Sequence, residues 1–164
     1  MIFYPFIIVI TLVLLITIVI SELRKKEESK ILSSFQKNNV EKLEIIFSQT
    51  TYNGFKQFGG ISTKANLYYE KKIGLLIFTP NKNRIWSVWN NNLPLIVTNT
   101  PIKELPKICY PKKVSEIITK SDEYILIIND NTSPNKRIEL NLSSENENIK
   151  LRDVISEFEK LNLN

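Results

Sequence analysis

Histidine is absent from this 164-residue sequence, and cysteine occurs once, at Cys109. Without histidine the commonest general base and the commonest transition-metal ligand are gone. A serine–histidine–acid triad and a cysteine–histidine zinc site are thereby excluded. One cysteine forms no internal disulfide, so nothing in the chain demands an oxidising compartment. Cys109 lies between Ile108 and Tyr110 in a proline-bounded segment, where a thiol fills apolar space rather than attacking a substrate. Glycine is scarce as well, with four in all. Gly54, Gly59 and Gly60 lack the spacing, and the following Lys-Ser or Lys-Thr, of a phosphate-binding loop. The acidic residues offer no pair directed into a pocket. Asp122, Glu123 and Asp130 fall in turns, and Glu145 and Glu147 precede a helix, where negative charge suits the dipole. Together these absences point away from an enzyme and from any cofactor or metal.

Charge of either sign is missing from the first 20 residues, although the whole chain carries a formal +5. From Ile2 to Ile20 the residues are apolar apart from Pro5, Thr11 and Thr17. At about 1.5 Å per residue the run covers roughly 29 Å, which predicts a transmembrane helix over 1–21. A cleaved signal peptide fits less well: no base precedes the run, and Ile18-Val19-Ile20-Ser21 offers bulky residues where a cleavage site needs small ones. Arg24, Lys25 and Lys26 follow the run and only Met1 precedes it. Because basic flanks stay inside, the expectation is a single-pass cell-membrane protein with its N-terminus outside and its C-terminal domain cytoplasmic. Residues 22–39 then read as a charged helical stalk whose Ile31, Leu32 and Phe35 form an apolar edge, fit to lie on the domain or on a bilayer surface.

After Asn39 the hydrophobic period changes from 3.6 to 2. Leu43, Ile45 and Phe47 alternate with polar neighbours, and Gly54 with Gly59-Gly60 mark a long loop carrying Tyr52, Phe55 and Phe58. Ala65–Tyr69 and Ile73–Thr79 flank Lys71-Lys72 as a hairpin, and strand-like runs follow at 85–89, 95–98, 114–119 and 123–129. Ile138, Leu140 and Leu142 make the cleanest alternation. The period then returns to helical, with Leu151, Val154, Ile155, Phe158 and Leu161 on one stripe. Ser144 with Glu147 has capping-box spacing, and Asn148 is an equally good N-cap.

About seven short strands and one final amphipathic helix over 40–164 define a mainly β domain with α. The order, the segment Ala65-Asn66-Leu67-Tyr68-Tyr69 with Gly74-Leu75-Leu76-Ile77, and Ile138–Leu142 running into the helix resemble a pleckstrin-homology-like (PH/GRAM-like) bent β-sheet or barrel. An unrelated α+β sheet is the competing architecture. The resemblance implies a non-enzymatic, membrane-anchored binding or scaffold module with a protein partner, or alternatively a reader of anionic lipid headgroups at the cytoplasmic leaflet. Phosphoinositide-binding members place several bases in their first strand loop; here Ser48–Lys64 offers Lys56 and Lys64 alone. Elsewhere Lys82 with Arg84 stands beside Trp86 and Trp89, a pair suited to a partner or a membrane interface and equally to a core. Phe55 and Phe58 are the second candidate contact, their default place being folded over the barrel. No strand face interleaves bases with aromatics, so a nucleic-acid partner is not expected.

Overall fold

The computed structural model describes residues 3–35, 40–80, 95–102, 111–129 and 136–163. One helix, α1 (Phe3–Phe35), runs through the apolar stretch and the charged stretch without a break. Thr11 and Thr17 turn their hydroxyls onto the carbonyls of Ile7 and Val13, which explains how polar residues sit in so apolar a helix. Among the described residues, however, no helix is long and apolar enough to cross a membrane. The apolar stretch whose side chains are described, 6–20, has 15 residues. The expected transmembrane helix, the integral single-pass relation to a membrane, and the outward N-terminus inferred from Arg24, Lys25 and Lys26 are therefore not supported. What α1 does show is apolar side chains from Phe6 to Val19 that stand 45–67 % exposed, apart from the two threonines.

Eight strands follow among the described residues: β1 (Val40–Asn53), β2 (Lys56–Gly59), β3 (Thr63–Glu70), β4 (Leu75–Pro80), β5 (Leu95–Val97), β6 (Val114–Lys120), β7 (Glu123–Asn129) and β8 (Lys136–Ser143). They form one antiparallel sheet in the order β5-β4-β3-β1-β8-β7-β6, with β2 paired to β1 off that path. At 14 residues β1 is long enough to serve two partners. Val40–Phe47 pairs with β3 and Ile46–Asn53 with β8, so the sheet curls about the middle of β1 into a half-barrel.

The hollow is filled by inward residues of the alternation: Leu43, Ile45 and Phe47 from β1, Leu67 and Tyr69 from β3, and Leu140 and Leu142 from β8. Phe47 meets Phe78 with ring centroids 5.3 Å apart, a tilted contact favoured by the ring quadrupoles. The C-terminal helix α2 (Asn148–Asn162) closes the open mouth by burying Leu151, Val154, Ile155 and Phe158. Each such side chain contributes about 1.5–3 kcal/mol of burial, an amount that amphipathic spacing alone collects on one face. Leu161, expected on the same stripe, is exposed instead. The last turn of α2 presents Asn162 to the barrel in its place.

The run Leu75-Leu76-Ile77-Phe78 has no polar alternation because β4 is buried on both faces. Leu76 and Phe78 enter the barrel core. Leu75 and Ile77, with Ile96 of β5, receive Ile31 and Phe35 from the end of α1 on the outside of the sheet. The apolar edge of 31–35 thus lies on the domain.

Candidate partner-binding surface

The segment expected to be a loop, 48–64, holds a hairpin of β1 with β2, whose β1 arm stays paired with β8 as far as Asn53. Pairing of Asn53 with Lys56 leaves a two-residue turn, Gly54-Phe55. Gly54 has φ of 59°, the positive value that the first place of such a turn requires. At the other end Gly59, with φ of 93°, brings the chain so close to β1 that an added Cβ would fall on the Gln49 carbonyl oxygen. That oxygen instead accepts the Gly60 N–H at 2.9 Å. The glycines therefore shape a tight ribbon rather than breaking it. One pair back from the turn the Tyr52 hydroxyl donates to Glu139 of β8 at 3.3 Å, and Arg137 holds the same carboxylate at 2.8 Å. Burial, then the Glu139 charge, push the Tyr52 phenol up, so it stays a neutral donor.

All four residues of β2 are exposed. Phe55 at the tip is fully exposed, Phe58 is 56 % exposed, and Ile61 just beyond is 57 % exposed. Three large apolar groups are thus displayed within seven residues of one hairpin. Lys56 stands beside Phe55 and is exposed. Lys64 faces Glu145 at 3.9 Å, an exposed pair of little energetic weight.

Of the residues expected at a contact site, Phe55 and Phe58 both lie on this hairpin and are displayed, not folded over the barrel. Lys82, Arg84, Trp86 and Trp89 lie outside the described residues, as does Cys109.

A concavity lies at the other end of the β1–β8 ladder. Beyond the end of β8 the chain at 144–147 forms a groove of about 430 Å3 with β1. The Ser144 hydroxyl donates to the Glu44 carbonyl oxygen at 3.2 Å, and a Glu147 carboxylate oxygen accepts the Glu44 N–H at 3.2 Å. The Ser144 oxygen also accepts the Glu147 N–H at 3.0 Å. The spacing that reads as a capping box thus continues the ladder of β8 instead, and Glu147, at the N-cap, makes no side-chain cap bond. The Lys150 ammonium at 2.8 Å, then the Glu44 N–H, hold the Glu147 carboxyl below the ordinary carboxylate range. No group of three or more acidic or cysteine ligands is assembled for a metal among the described residues.

No family model, curated protein or solved structure matches the chain. What stands is the architecture, a curled antiparallel half-barrel with a C-terminal helix, which is compatible with a PH-like fold.

Proposed function

We propose that this chain is a non-enzymatic binding module of PH-like, GRAM-like architecture that grips a protein partner through the β1–β2 hairpin. One observation carries the reading: Phe55, fully exposed, sits at the tip of a ribbon tied to the barrel by Tyr52 and Glu139. A rigid aromatic anchor loses little conformational entropy on binding, which is where hot-spot energy concentrates. The lack of histidine in the chain supports the non-enzymatic part.

A photo-crosslinking phenylalanine analogue at position 55 of the full chain, irradiated in native extract, tests this. The expected result is a discrete adduct that is absent when the analogue replaces Ile149, an exposed residue on α2. Phe55→Ser with Phe58→Ser abolishes co-purification of the same partner while leaving the melting temperature unchanged. Identical adducts from both positions would sink the proposal. Flotation of the full chain on anionic vesicles separates the lipid alternative. Salt-sensitive binding lost in Phe55→Ser, with no protein adduct, would favour the headgroup reader; against that reading, Lys56 is the one base at the tip.

A further inference from the structure

The outer edge of β6 is an open ladder among the described residues. β6 ends the sheet on one side. Across the seam from β5, Asn99 lays its side chain along Val114: its Oδ1 accepts the Val114 N–H at 2.8 Å, and its Nδ2 donates to the Val114 carbonyl at 2.9 Å. This amide imitates a strand, but only for one residue. From Glu116 to Lys120 the edge facing away from β7 has no hydrogen-bond partner among the described residues. Ile117, Ile118 and Thr119 fill the middle with β-branched residues, which favour strand pairing.

The side chains on this edge are self-complementary. Ile117 opposes Leu126 on the core side of the pair, and Ile118 opposes Ile125 on the outer side. Glu116 and Lys120 share the outer side with Ile118. Both are exposed, and neither makes an ion pair among the described residues. When two such strands run antiparallel about a two-fold axis at Ile118, Glu116 of each faces Lys120 of the other, and Ile117 faces Thr119. Sliding the register by two residues sets a charge against Ile118 and leaves the opposite charge unmatched. Edge strands that resist pairing carry like charges, typically lysines; this edge carries one charge of each sign at the spacing that attracts its own copy.

We infer that the occupant of this edge is a second copy of the chain, joined β6 to β6 as a two-fold dimer that continues one sheet into the other. A strand-pair interface is smaller than a standard one, so the dissociation constant belongs at about 1–100 µM.

The register makes the test specific. In the full chain carrying Cys109→Ser, held in mild detergent, Ile118→Cys places two thiols directly opposite, and oxidation yields a covalent dimer. Glu116→Cys puts its thiols about four residues apart and yields none. In sedimentation equilibrium Lys120→Glu weakens association about tenfold, because two attractive pairs become repulsive, and Glu116→Lys with Lys120→Glu restores it. A monomer at all concentrations, association indifferent to these charges, or an Ile118→Cys variant that crosslinks only to other proteins would each overturn the proposal.

Discussion

Tyr69 is wholly buried, and its hydroxyl has no hydrogen-bond partner among the described residues. Burial, followed by the carboxylates of Glu157, Glu70 and Glu41, pushes its phenol up to about 12. An unpaired buried hydroxyl costs on the order of 1–3 kcal/mol, so Tyr69→Phe is expected to leave stability unchanged or raise it by about 1 kcal/mol in urea titration. The same substitution alters the alkaline limb. In the unfolded chain a tyrosine titrates near its ordinary value of 10.0, and in the folded chain near 12. The neutral form therefore favours the fold; its contribution is complete below about pH 10 and is lost as pH rises toward 12. The difference in unfolding free energy between wild type and Tyr69→Phe, followed from pH 8 to 12, should widen in favour of the variant. A constant difference would show that Tyr69 ionises as freely folded as unfolded.

Among the elements, α2 does more than plug the barrel. Its Asn162 accepts the Asn99 N–H at 2.6 Å and donates to the Gly74 and Phe158 carbonyls, each at 3.0 Å. Asn99 in turn donates to the Asn162 carbonyl at 2.8 Å. Gly74, with φ of 59°, has no room for a Cβ beside the Asn162 amide. This clasp joins the β3–β4 turn, the end of β5, the start of β6 and the last turn of the helix. Asn162→Ala is expected to cost about 2–3 kcal/mol, read as a shift in the urea midpoint. Amide exchange at Thr98 and Asn99 should accelerate while that of β7 barely changes. None of this clasp was legible in the sequence, because an asparagine near a helix end reads as a stop signal and its partner lies 63 residues away. The strands themselves were legible wherever one face meets solvent, as in Ile138–Leu142. The stripe of α2 was legible through Phe158 and failed at Leu161, where the last turn presents Asn162 to the barrel instead. The hairpin that carries the candidate site was misread because Gly54, Gly59 and Gly60 signal a break, whereas here they permit a tight turn and a close strand approach. Phe55 and Phe58 were visible as candidates, but the alternation that would have set their side was hidden by those glycines.

At the scale of the whole molecule, two apolar layers hold the chain: the barrel core and the smaller cluster between α1 and the outside of β4 and β5. The second layer depends on few residues, and Ile31 is its most deeply buried α1 member. Ile31→Ala is expected to cost this docking about 2–4 kcal/mol while sparing the barrel. Trypsin should then cut after Lys26 or Lys30 at least about ten times faster, with the melting temperature of the β domain little changed. Unchanged cleavage would mean that the helix end is held by something other than this contact.

The sharing of β1 between two halves also governs the order in which the protein can be built on the ribosome. The partner of its first half, β3, follows within about twenty residues, but the partner of its second half, β8, begins at Lys136. Ile46–Asn53 must therefore wait, one edge unpaired, through the synthesis of about half the chain. Closure is bound to be a late, long-range step, and a nascent chain stalled before residue 136 presents an open strand template to its neighbours.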